Sequence, residues 1–324
     1  MSSTSSGYYL LFPAVFVVVS QGHLPLIPGL APRFAREIPS GRDKMDRETG
    51  NNKSGELRKA NRFTQEQFGR EATKYASSKV HSDKEDLEWA LHFIDPGSNW
   101  LVLDIATGAG HLALNLAPVV DRVIASDLTR EMLTQAKKLA SERNLNNIQT
   151  QFIDVHNIPY PDNTFDLVAS RIAPHHFYDM EKAIREMVRV TKVNSFLFIQ
   201  DTVCPEDKES ADFINYLEKL RDPSHVRTLS KSRWEALLEK TGCQVIKSAT
   251  RYKTWSLDCW TERMSTPIAV VHEIVRLLEQ NYGKYRETVR IERAENYDVN
   301  ELETNIRKWK ICPDNGYFLA RKVG

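Results

Sequence analysis

The segment LVLDIATGAGHLA, Leu101 to Ala113, holds residue types whose spacing suits a nucleotide-like ligand. An apolar run ends at Asp104, a turn of small residues follows (Ala106, Thr107, Gly108, Ala109, Gly110), and a helical pattern begins near His111. Gly108 and Gly110 let the backbone approach a ligand with no Cβ in the way. The start of a helix adds unpaired N–H groups beside it. Asp127, seventeen residues beyond Gly110, ends the next apolar run after Ser126. A carboxylate placed there can accept both hydroxyls of a ribose. Capping of the turns at strand ends is the ordinary structural role for Asp104 and Asp127, and it stays open for both.

Gly108-x-Gly110-x-x-Ala113 also satisfies the nicotinamide-dinucleotide fingerprint. Asp104 favours a different ligand. A pyrophosphate is repelled by a carboxylate at the first turn, whereas the cationic methionine end of S-adenosyl-L-methionine is suited by one.

His175 and His176 follow the run TFDLVAS and fall where ligands bind at the carboxyl ends of an open α/β sheet. Imidazole titrates near neutral pH, so either can take a proton from a hydroxyl or amine, with packing or loop anchoring as the alternative. Adjacent histidines without spaced partners do not suggest zinc. His225, in RDPSHVR, is a second candidate base, beside an expected structural ion pair of Arg221 with Asp222. Tyr75, with Ser77 and Ser78, is expected to close over the cofactor or to belong to the core. Trp255 and Trp260 either stack on a flat substrate or pack in the core. The charged stretch KYRETVRIERAE reads as a solvated helix face.

The elements that must position these groups alternate between extended and helical patterns from Phe63 onward, the mark of βαβ units around a parallel sheet. FTQEQFGREATKYA and DKEDLEWALHFI read as helices, the second capped by Ser82 or Asp83 and stopped at Asp95-Pro96-Gly97. Strands are expected at WLVLDIA, DRVIASD, IQTQFID, TFDLVAS, SFLFIQDT, QVIKSAT and GYFLARKV. Helices are expected between them, and from Pro267 to Gln280 near the C-terminus. The fold class implied is α/β: a doubly wound, Rossmann-like, mostly parallel seven-stranded sheet, with N-terminal and inserted helices covering the active site.

LDIATGAGH, ASDLTREML and FIDVHNIPYPDNTFDLVASRIAPHHF resemble the successive motifs of class I S-adenosylmethionine-dependent methyltransferases. The RIAPHHF and EKLRDPSHVR segments resemble the small-molecule branch labelled ubiquinone/menaquinone-biosynthesis-like. The likeness runs from about Phe63 to the C-terminus. It implies that Asp104, Ala106, Thr107, Gly108 and Gly110 line the methionine part of the cofactor. It also implies that Asp127 holds the ribose, Leu128 lies against the adenine, and Asp154 and Val155 contact the adenine edge. Arg171 and Ile172 would face the methyl group and substrate. Ala106 stands where the family has glycine, and the further signatures of the quinone C-methyltransferases are absent, so a quinone substrate is not implied.

The 324 residues carry 44 basic and 43 acidic side chains, a net charge of +1, which gives no global footprint for nucleic acid. Four dispersed cysteines without a C-x-x-C pair suggest reduced thiols and a cytoplasmic protein. Tyr8 to Val19 is an apolar run interrupted by Pro13, shorter than the ~20 residues of a membrane span and without a basic flank. Organelle or membrane targeting stays open for this run. Residues 1–60 are expected to be a poorly ordered extension, with Met45 a plausible start, and residues 61–324 the catalytic domain. The expected activity is methyl transfer to an O, N or C atom of a small molecule. The alternatives are a non-methylating S-adenosylmethionine binder or cyclase, a nicotinamide oxidoreductase and a macromolecule methyltransferase.

Overall fold

A computed structural model describes residues 65–69, 72, 83–294 and 306–324. Expectations for residues 1–60, Met45, Tyr75, Ser77 and Ser78 lie outside the described residues.

Residues 65–69 and 72 are helical. Helix α1, Lys84–Ile94, is capped by Asp83, whose side chain accepts from the Asp86 N–H, and it ends at Asp95 in the left-handed conformation just before Pro96. Strand β1, Leu101–Ile105, leads through the small-residue turn into α2, His111–Leu116. Then follow β2 (Arg122–Asp127), α3 (Arg130–Glu142), β3 (Ile148–Phe152), β4 (Phe165–Arg171), α4 (Met180–Val190) and β5 (Thr191–Val203). The C-terminal third adds α5 (Lys208–Arg221), α6 (Lys231–Lys240), β6 (Cys243–Tyr252), β7 (Trp255–Ser256) and α7 (Leu257–Glu262). It closes with α8 (Ile268–Tyr285), β8 (Ile291–Arg293), β9 (Trp309–Ile311) and β10 (Asp314–Lys322).

The seven-stranded sheet has the order β3-β2-β1-β4-β5-β10-β6. Strands β1 to β5 pair in parallel, and β10 inserts antiparallel to both β5 and β6. Their central members are continuous apolar runs because helices cover both faces: Val102, Leu103, Leu167, Val168 and Ala169 are fully buried. The winding reverses between β1 and β4, so the crevice at their carboxyl ends is the topological switch point where ligands bind.

A second apolar cluster stands apart from the sheet core. It joins α5, α7 and α8 to a three-stranded sheet of order β7-β9-β8 around Leu217, Trp260, Ile274 and Trp309. This sheet was not expected, since strands of two or three residues carry no readable alternation. KYRETVRIERAE is accordingly not one solvated helix face. It contains the end of α8, a turn and β8, with Tyr285, Val289 and Ile291 buried. Among the described residues no helix is long and apolar enough to cross a membrane.

Candidate functional site

At the switch point the turn after β1 places Ala106, Gly108 and Gly110 in the left-handed region, with φ of 53°, 55° and 87°. Such a backbone is costly for a residue with a Cβ, so Ala106 holds about 1–3 kcal/mol of strain. The turn is fastened to its neighbour: the Thr107 N–H donates to the Ser126 carbonyl at 2.8 Å, and the Ser126 hydroxyl donates to the Asp104 carbonyl at 3.0 Å. A Cβ added at Gly108 would meet no protein atom within 4 Å, so this part of the turn faces open space. Gly110 serves a different purpose. A Cβ there would come within 3.0 Å of the Ala136 Cβ, so Gly110 allows α2 and α3 to pack closely and does not line the cleft.

The cleft opens to solvent and spans about 1010 Å³ of non-protein space. Asp104 forms its floor at 1% exposure. Thr107 Oγ1 donates to Asp104 Oδ2 at 2.5 Å, while Oδ1 has no hydrogen-bond partner. Burial raises this carboxyl to about 7 despite the Thr107 bond. Asp127 Oδ2 accepts from the Gly108 N–H at 2.9 Å and Oδ1 from the Thr129 N–H at 2.8 Å. Its capping role is therefore real, and each oxygen keeps a second lone pair for a ligand. Burial raises Asp127 as well, against those two N–H groups.

Leu128, Asp154 and Val155 line the other end of the cleft. Asp154 Oδ1 accepts from the backbone and the Nδ1 of His156, at 2.9 and 2.7 Å. His156 in turn stacks on Tyr178 with ring centroids 3.7 Å apart. His156 was not anticipated, because its value lies in orienting Asp154. Phe68, also unanticipated, is the roof. The segment that carries it spans the site, with Gln65 Nε2 donating to the Leu128 carbonyl at 2.9 Å and Gln67 Nε2 to the Met264 carbonyl at 3.4 Å.

Arg171 reaches the cleft wall, but its guanidinium is bonded to other protein groups. Nη2 donates to Asp86 Oδ2 at 2.6 Å and Nε to Gln200 Oε1 at 2.9 Å. Its neighbour Ile172, with φ of 52°, is half-buried and borders a second cavity of about 780 Å³. Phe68, Ile172 and His176 belong to both cavities and mark their junction.

The second cavity contains both histidines, Trp255 and Trp260. His175 Nδ1 bonds to Asp201 Oδ1 at 2.6 Å. Burial disfavours a charge on His175, but the Asp201 carboxylate outweighs it and raises the imidazole above its usual value. His176 lies edge-on to Phe68 at 4.9 Å, and burial together with the neighbouring His175 lowers it to about 3. His225 is behind this wall, bonded through Nε2 to Asn215 Oδ1 at 3.0 Å, and does not line the cavity. Burial lowers it to about 2. The ion pair expected between Arg221 and Asp222 is instead Arg221 with Glu218, at 2.7 Å, one turn back on the same helix. The Asp222 Oδ1 accepts from the backbone and hydroxyl of Ser224.

Residues 103–199 match the methyltransferase domain family. The chain is 35% identical over 225 residues to an uncharacterized methyltransferase, YcgJ of Bacillus subtilis, with 68% of this chain and 87% of that protein covered. The chain belongs to the class I S-adenosylmethionine-dependent methyltransferases. The crystal structure of the YcgJ protein is similar to this one with a TM-score of 0.66 at 31% identity, covering 74% of this chain and 99% of that one. A putative methyltransferase from Bacillus halodurans gives a TM-score of 0.68 at 29% identity over 74% of this chain and all of that one. A ubiquinone/menaquinone biosynthesis C-methyltransferase from Rickettsia massiliae is 37% identical over 113 residues, which is 32% of this chain and 46% of that enzyme.

S-adenosylmethionine is the methyltransferase's cofactor. The cleft fits it on two observations: a buried carboxylate oxygen without a partner, Asp104 Oδ1, and a glycine whose missing side chain leaves open space. An α-ammonium group supplies a charged donor for the first, and the second admits a chain close to the backbone.

Proposed function

We propose that this methyltransferase acts on a small molecule held in the second cavity, with the methyl group passing at the junction formed by Phe68, Ile172 and His176. The observation that carries this reading is the meeting of two cavities at those three side chains, beneath the segment 65–69. The second cavity is walled by α5 and by the insertion between β6 and β10, through Trp255, Trp260 and Met264, and this gives it a bounded volume suited to a metabolite.

In this reading Asp104 takes the ammonium of the methionine moiety, Asp127 the ribose hydroxyls, and Leu128, Asp154 and Val155 the adenine. Gly110 acts through helix packing. The cofactor supplies an electrophilic methyl group, so the protein's main work is to hold the acceptor in line, and such positioning is worth roughly 7–11 kcal/mol. His175 has the properties of a proton acceptor near neutrality. Its Nδ1 is fixed by Asp201, which leaves Nε2 as the basic atom, and its affinity for a proton is raised.

Calorimetric titration of the full chain with S-adenosylmethionine, S-adenosylhomocysteine and NAD tests the cleft. Micromolar binding of the first two and none of NAD is expected. Asp127→Ala should weaken S-adenosylhomocysteine by ~1.5–3 kcal/mol, the worth of hydrogen bonds to a charged group, and an unchanged affinity would remove the ribose assignment. Release of S-adenosylhomocysteine in the presence of a metabolite library tests the transfer itself. Turnover confined to RNA or protein acceptors would overturn the small-molecule reading.

A further inference from the structure

His176 and Asp222 face each other across the inner end of the second cavity, with Nε2 and Oδ2 3.9 Å apart. That separation is too long for a hydrogen bond between them. The bonds behind them determine which atoms carry protons. The Ser224 hydroxyl has one proton, and it donates it to Asp222 Oδ1 at 2.6 Å. The same Ser224 oxygen lies 3.2 Å from His176 Nδ1, so it must accept there, and Nδ1 is the protonated ring nitrogen. His176 therefore presents a bare lone pair at Nε2. Asp222 Oδ1 accepts from both the N–H and the hydroxyl of Ser224, and two donated hydrogen bonds favour the carboxylate form. Two acceptors thus point into one gap, both nearly buried, with side-chain exposures of 9% and 2%.

An atom bonded to both acceptors at the usual ~2.9 Å sits off the line between them and must donate two hydrogens toward acceptors about 85° apart, a little inside the tetrahedral angle. A hydroxyl has one hydrogen and leaves one buried acceptor unmatched, which costs the desolvation of that group. Water and a primary amine each have two, and of these the amine is the group that a methyl acceptor can carry. Its two N–H bonds satisfy His176 Nε2 and Asp222 Oδ2, and its lone pair is left pointing away from both. Since His176 also lines the cofactor cleft, that third direction is available to the methyl donor.

We infer that the acceptor is a primary amine, held by His176 Nε2 and Asp222 Oδ2 with its lone pair free for methylation. The inference rests on the methyl-transfer reading above. The amine enters as an ammonium, which the Asp222 carboxylate favours and the aromatic ring of Phe68 tolerates. One N–H proton leaves to His175 and then to water, which restores the lone pair. A bond then forms between nitrogen and the methyl carbon as the carbon–sulfur bond breaks with its electron pair remaining on sulfur. The products are S-adenosylhomocysteine and a secondary ammonium, whose two N–H groups still match the two acceptors. Of the cations in its walls, Arg221 is bonded to Glu218, Lys253 to Asp83 at 2.8 Å, and Arg263 lies over the Trp255 ring at 5.2 Å.

Matched pairs of probes test this. Ethylamine, 2-phenylethylamine and tryptamine, with ethanol, 2-phenylethanol and tryptophol, are titrated into the full chain saturated with S-adenosylhomocysteine at pH 7.5. At least one amine should bind tenfold or more tightly than its alcohol. In Asp222→Asn that preference should fall to threefold or less, with thermal unfolding confirming that the variant is folded. Alcohols binding as well as amines, or no probe binding at all, would overturn the inference. Amines that bind with the stated preference, yet yield no S-adenosylhomocysteine when mixed with S-adenosylmethionine, would leave the amine site standing and remove the methyl-transfer reading instead.

Discussion

At Asp104 one carboxylate oxygen is bonded to Thr107 and the other is bare, in a site that raises the group to about 7. The ligand-free protein therefore holds a proton there below pH 7, and pairing with an ammonium must expel it. Affinity for S-adenosylhomocysteine should fall by up to about tenfold for each pH unit below 7. It should be greatest between 7 and about 8, where an α-amino group still carries its own proton. Calorimetry at pH 5.5, 6.5 and 7.5 in two buffers of different ionisation enthalpy reads both the affinity and the proton released. Asp104→Asn should bind more weakly at pH 7.5 and lose the slope. The same slope in wild type and variant would place the proton elsewhere. His175 and His176 are adjacent in sequence yet differ in the same terms, since one has a carboxylate at 2.6 Å and the other is buried with a second imidazole beside it.

The turn between β1 and α2 divides its glycines between two tasks. Gly108 faces open space, whereas Gly110 is packed against Ala136 of α3 with φ of 87°. Gly110→Ala combines a left-handed backbone with a 3.0 Å contact, and should cost about 2–4 kcal/mol, read as a lower unfolding midpoint. Gly108→Ala should cost only the backbone term of about 1–2 kcal/mol and weaken the cofactor by a similar amount. Equal loss of stability in both variants would contradict this division. The turn itself was legible as a unit, because a glycine-rich stretch between an apolar strand and a helix is a local pattern. Which glycine faces the open cleft was not, because Ala136 lies in the following helix.

Across the whole molecule, Asp86 ties α1 to the sheet. Its carboxylate accepts from Arg171 of β4 at 2.6 Å, from Gln200 of β5 at 3.0 Å, and from the Tyr317 hydroxyl of β10. Burial works to raise this group, but Arg171 and the other donors prevail and bring it to about 2. Asp86→Ala leaves the Arg171 charge buried without its partner, and should destabilise the fold by about 3–5 kcal/mol in denaturant titration. A loss under 1 kcal/mol would show that water or a neighbour replaces the carboxylate. Arg171 was expected to face the methyl group and substrate; it lines the cleft, and this pairing holds its guanidinium there. Asp86 and Arg171 are 85 residues apart, and nothing in either local sequence announces the other.

The sequence alone determined the seven-stranded α/β architecture and the strand ends that border the cleft at its switch point. Continuous apolar runs mark strands buried on both faces, and Asp104, Gly108 and Asp127 sit at strand ends whose carboxyl edge must line the switch point. Tertiary structure decided the acceptor end. The bonds of Asp201 to His175 and of Ser224 to His176 join residues 26 and 48 apart, from separate loops and strands. The small sheet β7-β9-β8 likewise depends on partners rather than pattern, since its strands have at most three residues. Periodicity and turn chemistry report neighbours along the chain, while the protonation state of a buried group is set by whatever the fold brings against it.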